Sequence, residues 1–527
     1  MTGHPQVRHT EPILQLRGFS VSTALIICLL SIFYTPSCIS RSKSSEFEYL
    51  YKNLPFEMPV VSRPQIPGRT VVLTEFGGNG NGIDLNTDAF ARAIDFLASK
   101  GGGHLNVPAG IWLTGPITLK SCIDLHLDAN AVIIFDPDRD LYPIINTVFE
   151  GLDTRRCESP VNADGAHDIS ITGAGVIDGN GDAWRAVKKS KLTSAQWKDF
   201  VGRGGVVQDN VWYPDEGFIK GQSLSDMNVP QGELSDAQWD EIKSFLRPVM
   251  ISLRNCENVL LEGCTYQNSP CWNIHPLMCK NVIIKDITVR NPWYSQNGDG
   301  IDIDSCENVI MVDSSLDCGD DGICVKSGKD ADGRRRGRPC RNLIIDNCTV
   351  YHGHGGFTVG SEMSGGVQNV KVSNCRFLGT DVGLRFKSTR GRGGVVSDIF
   401  IDHIYMKDIV AEAILFDLHY GGKSAVEAMA EGDAPAEEQP LPVDETTPCF
   451  RDIRISDVVC NGAARAMYFN GIPEMPVKGI DIARCTISAA TGIQFHYAED
   501  VTVHDTVIIP ETGEPVSVLS CKNINIL

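Results

Sequence analysis

The sequence predicts an all-β, single-stranded right-handed parallel β-helix with an N-terminal capping helix. Three observations predict it. A short strand phrase recurs along most of the chain, no long helical pattern separates its copies, and one amphipathic segment precedes them.

The phrase is a polar residue, an alternating apolar strand, and then Asp or Asn. It opens at Asn258, Asn281, Asn308, Asn342, Asn369, Asp398 and Asp452, with weaker copies at Asp168, Gly479, Asp500 and Asn523. Successive starts are mostly roughly 21 to 34 residues apart, the scale of a solenoid repeat. Each copy has β-branched residues at alternate positions and is bounded by Gly, Asn or Asp, which is strand chemistry. The lack of intervening helices argues against a βαβ architecture. Stacking coil upon coil then buries the strands. An antiparallel sandwich is the structural alternative, but its hairpin turns recur at shorter spacing.

A solenoid needs caps on its open ends. Thr87 to Lys100 reads as a helix whose broad apolar face carries Ala89, Phe90, Ala93, Ile94, Phe96 and Leu97. Gly101-Gly102-Gly103 stops it. Two segments interrupt the repeat. Residues 182–247 are rich in Trp, Lys and Asp, with two possible short helices. Residues 421–448 carry Ala, Glu and Pro and read as a long mobile loop.

A length of 527 residues would ordinarily imply several domains. A solenoid grows without dividing, so residues 45–527 are read as one β-helix domain. Residues 1–44 read as a targeting segment: Arg8 and Arg17 precede the apolar run Phe19 to Tyr34, which is short for a membrane span. Cys38, just after it, is a candidate for lipid attachment. The chain is therefore expected to be exported to the periplasm, the medium or the cell surface, with no integral membrane domain. Its 18 cysteines could then form disulfides. Their positions argue otherwise. Asn255-Cys256, Asn347-Cys348 and Asn374-Cys375 place small apolar residues at one recurrent point of the coil. No Cys/His spacing typical of zinc occurs, and no metal or cofactor is expected. The net charge of -19 argues against a nucleic-acid partner. An acidic polymer can still bind where positive charge gathers locally.

Such a place emerges when a second strand of consecutive coils is aligned. Gly300-Ile301-Asp302-Ile303, Gly322-Ile323-Cys324-Val325, Gly356-Phe357-Thr358-Val359 and Gly383-Leu384-Arg385-Phe386 share a glycine followed by alternation. If the glycines stack, Asp299 lies beside Asp321 on the next coil. Asp320 falls one position over, in the column of His354. Arg385 and Lys387 point out of the core one coil further. Neighbouring coils lie about 4.7–4.9 Å apart, so these groups converge. Carboxylates so close repel, and at least one should have a raised pKa. A site of that kind can hold an acid and a base at one pH.

Taken singly, each feature has a plainer reading. Asp320-Asp321 before glycine is usually a turn, Gly353-His354-Gly355 a loop, and Arg385 with Lys387 a solvated strand face. It is their register on adjacent coils that makes them a site.

The same residues resemble the polygalacturonase family, glycoside hydrolase family 28, of pectin-lyase-like solenoid fold. Members show Asn-x-Asp, Asp-Asp, Gly-His-Gly and Arg-x-Lys in that order. This chain has Asn297-Gly298-Asp299, Asp320-Asp321, Gly353-His354-Gly355 and Arg385-Phe386-Lys387. The resemblance covers roughly residues 70 to 527, and Gly298 stands where many fungal members have Thr. It implies hydrolysis of α-1,4-galacturonosidic bonds in pectic polysaccharide, with inversion. Asp320 would protonate the leaving oxygen, Asp299 and Asp321 would hold and deprotonate water, and His354 would tune the acid. Arg385 and Lys387 would bind a galacturonate carboxylate, with Asn297 beside them. Tyr420 corresponds to a substrate tyrosine. His275, in Trp272-Asn273-Ile274-His275, is either a sugar contact or a satisfied core histidine. Ser361-Glu362-Met363 and Asn291-Pro292-Trp293 look like bacterial exo-acting members. The insertion at 182–247 is then expected to block one end of the cleft. A related hydrolase acting on rhamnogalacturonan or a substituted pectin, a calcium-dependent pectate lyase and a non-catalytic carbohydrate-binding β-helix are the alternatives.

Overall fold

The polar residue that opens each copy of the repeat is a corner of the coil. Asn258, Asn281, Asn308, Asn342 and Asn369 all adopt left-handed backbone, with φ of 57° to 61°. Asp168, Asp398, Asp452, Gly479, Asp500 and Asn523 do the same. Asn, Asp and Gly are the residues that enter this region at least cost. The asparagine side chains also bond one another. Asn281 Nδ2 donates to Asn258 Oδ1 at 3.0 Å, Asn308 to Asn281 at 3.1 Å, Asn342 to Asn308 at 3.0 Å and Asn369 to Asn342 at 3.0 Å. Each corner is thus pinned to the one beneath it by an amide–amide hydrogen bond.

The computed structural model describes residues 46–421, 432 and 438–527. Tyr49–Leu527 form one compact unit. It is the expected right-handed parallel β-helix. Its strands form two long parallel sheets, one of 24 strands and one of 12. The 12-stranded sheet carries the aligned glycine segments. Its central strands are β1 (Ile274–Leu277), β2 (Ile301–Asp304), β3 (Asp321–Lys326), β4 (Gly355–Gly360), β5 (Val382–Lys387) and β6 (Glu412–Asp417). Ile301 pairs with Ile323, Ile323 with Phe357, and Phe357 with Leu384. That is the register read from the sequence.

Like residues stack inside. Phe386 lies 4.6 Å from Phe416, which lies 4.9 Å from Phe469. The described cysteines are all free, and all but Cys122 and Cys521 are buried. They fill interior positions as small apolar groups.

The cap is α1 (Thr87–Ser99), which buries Ala89, Phe90, Ala93, Ile94 and Leu97. Phe96 departs from the expected face: it is 37% exposed and packs on Phe76 instead. The segment 182–247 holds three short α-helices rather than two, Ser194–Gly202, Glu216–Ser223 and Asp236–Glu241. Polar capping boxes obscured the third, since Ser235 and Gln238 cap a helix of only 6 residues. The second and third helices pack into a satellite core around Tyr142, Trp184, Phe218, Trp239 and Phe245, and the first into a smaller one of Val187, Phe200 and Trp212. An antiparallel hairpin, Ile144–Phe149 with Leu152–Cys157, also escaped the repeat pattern. Among the described residues no helix is long and apolar enough to cross a membrane. The apolar run from Phe19, with Cys38, lies outside the described residues, as does much of 421–448.

Candidate active site

The glycine column exists because the coil turns inward there. An added Cβ would strike Leu316 and Cys318 at Gly300, Val350 at Gly322, Phe377 at Gly356 and Met406 at Gly383. With the interior full at that point, the residues before each glycine project to the other side. The Gly300 N–H donates to the Asp321 carbonyl at 2.9 Å, and the His354 N–H to the Asp320 carbonyl at 2.9 Å. Asp299 and Asp321 are therefore neighbours in one column, with Asp320, His354 and Asp381 in the next. One oxygen from each of Asp299, Asp320 and Asp321 lies within 4.8 Å of the others. This is tighter than the roughly 6.5–9.5 Å usual between inverting carboxylates. The single coil step between the two strands sets this spacing.

Three carboxylates this close cannot share one state of charge. Asp299 is buried, one of its oxygens has no hydrogen-bond partner, and burial with Asp302 and Asp320 nearby holds its carboxyl well above the usual range. Asp321 is pulled the other way. Burial opposes its ionisation, but Lys387, Arg385 and Lys326 outweigh that and keep it far below the usual range. Lys387 Nζ donates to its Oδ2 at 2.8 Å, Arg385 Nη1 to its Oδ1 at 3.1 Å and Thr358 Oγ1 to its Oδ1 at 3.0 Å. Asp320 is the more open, at 21% side-chain exposure, with His354 Nδ1 at 3.0 Å. Burial again opposes ionisation, and His354 overcomes it. Burial likewise disfavours charge on His354, but Asp320 raises its pKa. These shifts favour the protonated form of Asp299, an imidazolium–carboxylate pairing of His354 with Asp320, and the ionised form of Asp321 between two cations.

The other expected residues fall in graded places. Tyr420 lies over the pair, its ring 4.8 Å from Lys387 Nζ and 5.7 Å from the Arg385 guanidinium. Asn297, at φ 53°, turns its side-chain oxygen to Arg247 Nη2 at 2.8 Å. His275 does not open on the cleft. It is 2% exposed, edge-on to Trp272 at 5.1 Å, with Nε2 3.4 Å from Asp304. Its burial is what a core histidine would show, and Phe149 of the hairpin packs on the adjoining Trp272 at 4.7 Å.

Residues 231–432 match the family model for glycosyl hydrolases family 28. A probable polygalacturonase of Vitis vinifera is 30% identical over 491 residues, covering 91% of this chain and 84% of the relative. The chain belongs to glycosyl hydrolase family 28. It is a glycoside hydrolase of the polygalacturonase family. An exo-poly-α-D-galacturonosidase of Dickeya chrysanthemi is 28% identical, covering 70% of this chain and 60% of that protein, so the match spans about three fifths of that relative. Among solved structures, an exopolygalacturonase from Thermotoga maritima superposes with a TM-score of 0.67 at 30% identity, covering 86% of this chain and 95% of that one.

The structure of this family 28 hydrolase adds groups that motif reading passed over. Asp302 is fully buried and burial pushes its carboxyl up to about 6. Lys326 Nζ lies 3.4 Å from it, donates to Glu362 Oε2 at 3.0 Å and sits 4.4 Å from the Trp272 ring centroid. Burial disfavours charge on Lys326, yet Cys324, Glu362, Asp302 and Asp299 together keep it protonated. Arg247 closes the segment 182–247 and is invisible to any motif, since only the fold brings it to Asn297. Asp302 alone gave a usable sign: a charged residue alternating with Ile301 and Ile303.

Proposed function

We propose that the enzyme hydrolyses α-1,4-galacturonosidic bonds of polygalacturonate and related pectic chains, releasing product from a chain end. One observation carries the substrate: Arg385 and Lys387 stand beside the carboxylate cluster with Tyr420 against them. A neutral sugar has no use for two cations there, whereas a uronate carboxylate matches the guanidinium fork and the ammonium together.

In the mechanism we favour, the galacturonate carboxylate shares Arg385 and Lys387 with Asp321. Asp320 and His354 hold one proton between them, and Asp320 passes it to the leaving oxygen as the bond breaks. Asp299, the most basic carboxylate, takes a proton from water once ionised, and Asp321 orients that water. Attack by water on the far side of the ring gives inversion. Asp321 is a poor nucleophile because two cations hold its charge, which disfavours a covalent intermediate. His275 supports the site from below instead of touching sugar.

The resting charges favour a second division of labour, with protonated Asp299 as the acid. An activated aryl galacturonide separates the two. The variant that has lost the acid keeps turnover on a good leaving group, so rescue of Asp320→Asn supports the first scheme and rescue of Asp299→Asn the second.

The exo mode rests on the Thermotoga and Dickeya relatives and on the 182–247 segment tied down beside Asn297. Products on polygalacturonate at low conversion test it. Galacturonate or its dimer alone is expected, and a ladder of mixed oligomers would sink the assignment. Rhamnogalacturonan run in parallel tests the backbone. We also read residues 1–44 as a targeting segment removed on export.

A further inference from the structure

Segment 182–247 does more than wall the cleft. Its short turn Lys189–Lys191 brings Lys191 over the loop that leads into Asp299. Lys191 Nζ lies 5.3 Å from the centre of the Trp293 ring. Trp293 is 52% exposed, whereas the other tryptophans are buried or half-buried. Among the described residues no carboxylate forms an ion pair with Lys191, and its ammonium sits over this ring.

The pair is held in place. Tyr294, next in sequence, sets its ring edge-on to Phe200 at 6.1 Å and joins the small core of Val187, Phe200 and Trp212. Ser295 Oγ donates to the Pro292 carbonyl at 2.6 Å, which closes the turn under Trp293. Arg247 fixes Gln296 and Asn297 through 2.9 Å and 2.8 Å bonds. An exposed Trp on a loop clamped at three successive points is a platform, not a floppy tip. The Lys191 charge also favours ionisation of Asp381, whose Oδ2 lies 3.9 Å from His354 Nε2.

We propose that Lys191 and Trp293 form a second uronate-binding subsite at the rim of the cleft. The indole face takes the apolar face of a pyranose, and the ammonium takes its carboxylate. A charged aromatic shelf of this kind selects acidic sugars over neutral ones, and it comes from the inserted segment rather than from the coil. The inference rests on the hydrolase reading above.

The test uses the full chain with Lys191→Met and Trp293→Ala, assayed on di-, tri- and longer oligogalacturonides. We expect KM to rise about tenfold for chains that reach the shelf while kcat stays within about twofold, the pattern of a lost binding contact. Lys191→Met should also flatten the rise of KM with salt. Unchanged KM in both variants at every chain length overturns the subsite and leaves the hydrolase reading intact. Absence of turnover by the unaltered enzyme overturns the hydrolase reading instead. Titration of trigalacturonate into the unaltered protein and Lys191→Met then decides the subsite, and equal affinities reject it.

Discussion

Arg247 donates from Nη2 to the side-chain oxygen of Asn297 at 2.8 Å and from Nη1 to the Gln296 carbonyl at 2.9 Å. Its guanidinium is 1% exposed, and burial lowers it to about 10. The last residue of the inserted segment thus fixes the backbone that delivers Asp299. Arg247→Met leaves the Asn297 oxygen and two carbonyls without their donor, at about 1–3 kcal/mol each if they stay dry. We expect kcat to fall by about tenfold or more with a smaller change in KM, and a lower melting temperature. A variant with normal kcat would show that Asn297 holds its place unaided.

His354 and Asp320 hold the proton together, so His354 sets the alkaline limb of the pH profile. The raised imidazole keeps its proton below its folded pKa, and activity falls as pH rises through that value. His354→Gln leaves Asp320 to titrate without its imidazole partner, with only the more distant Lys387 charge to favour ionisation. The alkaline limb should move to lower pH, with kcat down about 10- to 100-fold. A limb that stays put would remove His354 from the proton's path.

Asp299 costs stability. Its folded pKa is raised, so the penalty appears once the unfolded carboxyl would ionise, from about pH 4 upward, and grows until pH passes the folded value. Asp299→Asn should abolish turnover yet raise the melting temperature at neutral pH, on the order of 1–3 °C for a chain this long. The gain should vanish as pH falls toward about 4. Melting curves at several pH values check it, and a gain that persists in acid would point to a packing effect.

Asn308 tests the ladder. It is 1% exposed, bonded to Asn281 and Asn342, at φ 60°. Alanine there leaves two buried amide groups unpaired and strains the backbone, for about 2–4 kcal/mol in total. Glycine keeps the conformation and should cost about 1 kcal/mol less. Urea midpoints of the two variants compare these costs, and equal losses would mean that hydrogen bonding alone matters.

Much of this geometry was legible because a parallel coil converts sequence alignment into spatial register. Asp299 beside Asp321 and Asp320 beside His354 both follow from matching glycines, and those glycines stack because Cβ atoms would meet the interior. What resisted reading was whatever lies off the repeat. Phe96 escaped its helix face because Phe76, from the chain before it, covers it. The hairpin at Ile144–Phe149 buries Trp272, so nothing local could reveal His275 as a core residue. Nor does an Arg-x-Lys motif say that, in the free enzyme, both cations hold Asp321. That depends on the single strand, β4, that lies between them in the sheet and on how little space a coil step leaves.

The asparagine ladder has a consequence for how such a chain can change. Its rungs are separated by 23, 27, 34 and 27 residues, yet their side chains meet at nearly the same distance each time. Length added between rungs bulges out sideways and leaves the height of the next coil unaltered. Loops around the cleft can therefore be lengthened, shortened or exchanged while the aspartates keep their spacing. New substrate preferences become accessible through changes at the periphery, with the bond-breaking machinery untouched.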